Sequence, residues 1–134
     1  MATIVAQTTR QYKDLDLAFT KHPIKKDVNK HIDALAVINS VKNLISTSNY
    51  ERLFQPDIGS NVRRLLFEPM DTVTATSLKR TIIETLENYE PRVQVDAVAV
   101  SPDYENNTYK VGMTFFIINR TEPITIDFFL QRDR

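Results

Sequence analysis

Within a few residues of Pro91 the chain changes its period, and this switch limits the folds it can reach. Before it, Leu78, Ile82, Leu86 and Tyr89 recur every three to four residues, as one stripe of an amphipathic helix does. After it, "RVQVDAVAV" alternates like a strand. Proline lacks an N–H and clashes with the preceding turn, so the helix must stop near Glu90. The same constraint pushes Glu90 toward extended geometry. Two residues apart in extended chain, Glu90 and Arg92 share a face and offer an acid and a planar base on a stiff corner. From the residues alone, the corner is either a helix stop flanked by two exposed charges or a paired-charge docking point.

Three strands follow the corner: "RVQVDAVAV", "TYKVGMTFFIIN" and "ITIDFFLQR", separated by "PDYENN" and "RTEP". Strands in sequence, after helices, predict an α+β fold with helices on one face of an antiparallel three-stranded meander. Upstream, "YKDLDLAF" alternates Leu15, Leu17 and Phe19 as a short N-terminal strand. Asp27 is the expected N-cap of a helix reaching Ser46, with Ile32, Leu35, Ile38, Val41 and Ile45 as its stripe. A connector rich in turn formers (Asn49, Pro56, Asp57, Gly59) leads to a short helix, "NVRRLLFE", with Ser60 as its expected cap. Asp71 should cap the long helix that ends at Pro91. Residues 1–12 read as a flexible arm and 13–134 as one domain, since 134 residues supply one core and not two.

The strands have more apolar residues than a one-sided sheet needs. Tyr109, Val111, Met113, Phe115 and Ile117 fill one face of the second strand, with Phe116 and Ile118 on the other. Ile124, Ile126, Phe128 and Leu130 fill one face of the third, with Phe129 opposite. Helices cover one face only, so a loop, the N-terminal segment or another chain is expected to cover part of the second.

Catalytic equipment is sparse. Cysteine is absent, which excludes disulfides, thiolate metal sites and thiol nucleophiles. His22 and His31 stand apart with no carboxylate ligand pattern between them, and two glycines cannot build a phosphate-binding glycine loop. No metal or cofactor is expected. Glu51, Asp57, Glu68, Glu84, Glu87 and Glu90 are the acids a glycosidase would draw on, yet no tryptophan is present to stack a sugar. Arg52, Arg63 and Arg64 form the densest basic group, but seventeen basic residues balance seventeen acidic ones. That balance fits ion pairing within the chain or with a protein partner better than nucleic-acid binding. No run nears the roughly 20 apolar residues of a membrane span.

"YEPRV" after an amphipathic helix, with "NLISTSNYERLFQPDIGSNVRRLLFEP" upstream, closely resembles the baseplate wedge or sheath-initiator proteins of T-even-type contractile-tailed bacteriophages. That family also supplies baseplate subunits to contractile bacteriocins and type VI secretion systems, and it has been labelled lysozyme-like. The resemblance runs from Leu15 to the C-terminus and is strongest over 43–68 and 78–93. The family's Glu-Pro-Arg signature falls on Glu90, Pro91 and Arg92 without departure. It implies a non-enzymatic subunit of the virion tail baseplate, assembled in the host cytoplasm. The signature corner would dock on neighbouring wedge proteins, with tail tube or hub proteins as further neighbours. The edge and outer face of the last strands, with Phe116, Ile118, Thr125, Asp127 and Phe129, would template the tail sheath protein. Arg52, Arg63 and Arg64 would add ionic contacts. No nucleic acid or membrane partner is implied. The alternatives are a baseplate-associated peptidoglycan-degrading enzyme and the type VI counterpart.

Overall fold

The computed structural model describes residues 13–15, 21, 24 and 30–132. In chain order the elements are β1 (Lys13–Leu15), β2 (Lys30–Ile32), α1 (Ala34–Ser46), α2 (Val62–Leu65), α3 (Thr72–Tyr89), β3 (Val93–Asp103), β4 (Thr108–Ile117) and β5 (Pro123–Gln131). β3, β4 and β5 form an antiparallel meander in that order, and β1 pairs with β2 in a separate two-stranded ribbon. The expected α+β architecture is therefore the observed one.

The first helix departs from expectation at its start. Residues 30–32 are not helical; they pair with β1, Ile32 opposite Lys13. Asp33 then takes a φ of 58°, which a right-handed helix cannot contain, so α1 begins only at Ala34. Asp27 and the proposed strand residues Leu17 and Phe19 lie outside the described residues. Leu35, in the first turn, is 56% exposed, whereas Val37, Val41, Leu44 and Ile45 are buried. Ser60 is not a helix cap. Its hydroxyl, buried, donates to the Ile45 carbonyl at 2.6 Å and ties the connector back to α1. Asp71 does cap α3, its carboxylate accepting from the Thr74 N–H at 2.7 Å. Hydrogen bonding to the Thr74 amide holds its carboxyl below the usual range.

α3 lies over β3 and buries Leu78, Ile82 and Leu86 completely. Each such side chain contributes about 1.5–3 kcal/mol of burial. Tyr89, the last residue of the stripe, is partly exposed where the chain leaves for β3. In β4 the residues from Tyr109 to Ile117 alternate as read, with the odd positions buried against the helices. β3 keeps pace only through a bulge between Val95 and Ala97. Val93 and Val95 face inward before it, opposite Ile117 and Phe115. After it Val98 and Val100 face inward, opposite Met113 and Val111. Asp96 is the extra residue, exposed at the kink. Gly112 sits opposite Asp127, whose carboxylate would meet an added Cβ at 3.0 Å; the bulge lies on the neighbouring strand.

The two flanks of β4 differ. Inward residues of β5 (Ile124, Ile126, Phe128, Leu130) are only half-buried, although each pairs with a fully buried residue of β4. On the outer face, β3 and β4 present mainly small or polar residues (Ala97, Ala99, Ser101, Lys110, Gly112, Thr114). Phe116 is half-buried there and Phe129 is 64% exposed.

Candidate functional site

The Glu90–Pro91–Arg92 corner forms where α3 gives way to β3. α3 ends at Tyr89, and Glu90, its C-cap, leaves the helix with φ −124° and ψ 79° while its N–H still donates to Leu86 at 2.9 Å. Pro91 is exposed and carries no donor, so the next backbone bond runs from the Val93 N–H to the Glu90 carbonyl at 3.1 Å. The Arg92 carbonyl accepts from the Ile118 N–H at 3.0 Å, which fastens the corner to the end of β4.

The charges meet each other. Arg92 grips the Glu90 carboxylate as a fork, Nε to Oε1 at 2.6 Å and the guanidinium NH2 to Oε2 at 2.8 Å. The Ser40 hydroxyl of α1 donates to Oε2 at 2.5 Å. Glu90 is 4% exposed; the Arg92 side chain is 26% exposed. Burial is the largest single influence on the Glu90 carboxyl and pushes it up. Hydrogen bonds from Arg92 and Ser40, with the Arg92 charge, outweigh that and hold it below the usual range. Both readings of the corner from sequence therefore need adjusting: the acid is neither exposed nor directed at a partner. It fixes Arg92 and links α1 to the α3–β3 joint, and Pro91 with the partly exposed Arg92 side chain forms the accessible part of the corner.

Ser40 was not singled out in the sequence, though a signal was present. It lies three residues after Val37 and four before Leu44, both buried, so a hydroxyl stands inside an apolar stripe and needs an acceptor.

The remaining predicted residues divide into two groups along the sheet. Phe116 and the half-exposed Ile118 lie at the corner's end, Phe116 opposite Gln94 and Pro123. Thr125, Asp127 and Phe129 step away along β5, opposite Thr114, Gly112 and Lys110. Phe116 lies six positions along β4 from Lys110, on the order of 20 Å away. The Thr125 and Thr114 hydroxyls lie 3.2 Å apart. Arg63 and Arg64 are exposed on α2, and Arg52 is half-exposed in the connector. The connector also carries Leu53 and Phe54, 93% and 96% exposed, which the turn-former reading passed over. An adjacent Leu-Phe pair enclosed by turn formers at 49 and 56 is too tightly bounded to reach the core. Among the described residues, no group of acids and histidines is arranged to hold a metal, and no helix is long and apolar enough to cross a membrane.

The family model for baseplate wedge protein gp25 matches residues 33–120, a span that holds the corner, the connector and most of the meander. The chain belongs to that family. Baseplate wedge protein gp25 of Enterobacteria phage T4 is 32% identical over 120 residues, 90% of each chain. Among solved structures, the fold is similar to a subunit of the anti-feeding prophage baseplate (TM-score 0.72, 19% identity, 84% of this chain and 90% of that one). It is similar also to a putative tail lysozyme from Geobacter sulfurreducens (TM-score 0.68, 18% identity, 73% and 89%). Family membership makes the chain a baseplate wedge protein of contractile tails and related baseplates, a component that assembles with other baseplate proteins.

Proposed function

We propose that this wedge protein is a structural subunit with two tasks: it docks on neighbouring wedge proteins through the 90–92 corner, and it templates the first ring of the contractile sheath through β5. The carrying observation is the half-covered last strand. β5 ends the sheet, its inward side chains are only half-buried, and Phe129 stands out from the opposite face. Of the two outer strands, β3 has α3 packed over it, and among the described residues no helix packs over β5 to a comparable extent. A long, apolar strand with an open edge is what strand addition between chains uses: backbone pairing holds the new strand and alternate side chains choose it. At the corner, the fork from Glu90 holds Arg92 beside exposed Pro91, so a partner meets a pre-set surface with little side-chain freedom left to lose. Assembly takes place in the host cytoplasm, within the virion tail.

Proline at Thr125 or Asp127 removes one N–H from β5 and tests the template. Baseplates should still form, and sheathed tails should not, with circular dichroism confirming that each variant folds. Ordinary sheath growth from such baseplates would rule β5 out as the template.

A second reading, a peptidoglycan-degrading enzyme, draws support from the tail lysozyme whose fold this chain shares. The state of two of the acids counts against it. A general acid needs a raised pKa, and Glu90 is held low by Arg92 and Ser40. Glu84 is exposed and paired with Arg80 at 2.7 Å. A zymogram on peptidoglycan should show no clearing; clearing that vanished in Glu84→Ala and Glu90→Ala variants would establish the enzyme.

A further inference from the structure

The connector between α1 and α2 holds large apolar side chains in solvent and does so rigidly. Tyr50 is 81% exposed, Leu53 93%, Phe54 96%, and Phe67, just past α2, 58%. A slack loop would let such groups fold back against the body. This one is fastened at several points. The Tyr50 N–H donates to Pro56 at 2.8 Å, the Ser60 N–H to Thr47 at 2.8 Å, and the Asn49 amide to the Asn61 side chain at 2.9 Å. Glu51 closes its start by accepting from the Ser48 N–H at 2.8 Å. Gly59 lies so close to Ser48 that an added Cβ would sit 2.7 Å from its carbonyl, and Tyr50 takes a φ of 67°, unusual for an aromatic residue. Backbone held in this way, with its apolar groups outward, is built for presentation.

The charges around it are distributed in a definite way. A shallow concavity of about 330 Å³ between Tyr50 and Phe67 is lined, among the described residues, by Arg63, Arg64 and neutral side chains, with no carboxylate. Arg52 stands beside Leu53 and Phe54 along a second concavity, which Glu51 also lines, its carboxylate already accepting from the Ser48 N–H. Exposed acids, Glu51, Asp57 and Glu68, lie within or beside the same stretch of chain. A uniformly anionic surface, such as a phosphate backbone or a lipid headgroup layer, would meet those acids as well as the arginines. A polypeptide can place its carboxylates one by one.

We propose that residues 48–67 form a second docking site, one that takes an acidic segment of a neighbouring baseplate chain. A large apolar side chain of that segment covers Leu53 and Phe54, and its carboxylates meet Arg64 and Arg52. The site depends on the wedge reading only for which chain supplies the segment, and it is separate from the corner and from β5.

An array of peptides tiling the baseplate proteins encoded alongside this chain, probed with the full-length protein, tests it. The retained peptides should be net acidic and carry at least one aromatic or leucine residue. Leu53→Ser with Phe54→Ser should weaken binding by about tenfold or more, as should Arg64→Glu. Lysine in place of the peptide's acids should restore binding to the Arg64→Glu protein. An unchanged melting temperature shows that these exposed substitutions leave the fold intact. The Thr125→Pro variant should bind the same peptides, which keeps the result distinct from sheath templating. Retention of only basic or uncharged peptides, retention unaffected by the Leu53 and Phe54 changes, or no retention at all would overturn the proposal. Competition by single-stranded DNA or by phosphatidylglycerol vesicles as effective as the peptides would overturn it too.

Discussion

The corner at 90–92 and the connector at 48–60 each follow a helix, and each is rich in hydrogen bonds that redirect the chain. They spend that order in opposite ways. At the corner, the bonds draw a carboxylate inward until it is 4% exposed and fully engaged by Arg92 and Ser40. At the connector, comparable bonds hold Leu53 and Phe54 outward, almost wholly in water. A buried ion pair is costly to break, because the remaining charge has no water to turn to. An exposed apolar pair contributes little to folding and has most to gain from a partner. So the corner should be read first in stability and the connector first in association.

The largest stability effect belongs to the corner. Arg92→Ala leaves the Glu90 carboxylate with Ser40 and the backbone N–H of residue 92 but no counter-charge, and chemical denaturation should show a loss of about 2–4 kcal/mol, since Arg92 is partly exposed and its own desolvation is modest. Wedge assembly should fail even where the monomer is still folded. Arg92→Ala as stable as wild type would mean the corner is not a staple, and the contrast with the connector would collapse. Next is Gly59→Ala, whose Cβ would meet Ser48 backbone with no flexible side chain to yield. It should cost about 1–3 kcal/mol and distort the connector.

Ser40→Ala is smaller, at about 1–2 kcal/mol near neutral pH, and it carries a pH signature. The folded Glu90 carboxyl lies below its ordinary value, so its contribution is present above about pH 4.3 and is lost as pH falls through the folded value. Removing Ser40 leaves burial less opposed and raises the folded pKa. The difference between variant and wild type should therefore shrink on acidification, as urea titrations across pH would record. A difference independent of pH would assign Ser40 to packing alone. The smallest stability effect should come from Leu53→Ser with Phe54→Ser, within about 0.5 kcal/mol of wild type. A larger loss would show that the connector's apolar groups support the fold.

Periodicity made much of this legible. The stripe of α3, its Asp71 cap, the stop at Pro91 and the three strands follow from spacing and proline chemistry alone. The limits were local. Asp33 carries a positive φ that an Asp tolerates without announcing, so the strand at 30–32 reads as the start of a helix. Ser60 resembles a cap by type, but its hydroxyl finds the Ile45 carbonyl fifteen residues back, a contact no local pattern encodes. The corner's polarity was hidden for the same reason: Ser40 and Glu90 lie fifty residues apart, and only packing of α1 beside α3 turns the acid inward. The excess of apolar residues on the strands was visible in the sequence, whereas the half-covered state of β5 needed the helices in place.

Cryo-electron microscopy of an assembled baseplate carrying its extended sheath, with this chain traced, tests the central claim most directly. A strand of the first sheath ring, hydrogen-bonded along β5 and packed on Ile124, Ile126 and Phe128, is the predicted result. A β5 edge open to solvent or covered by a wedge protein, with the sheath seated elsewhere, would contradict it.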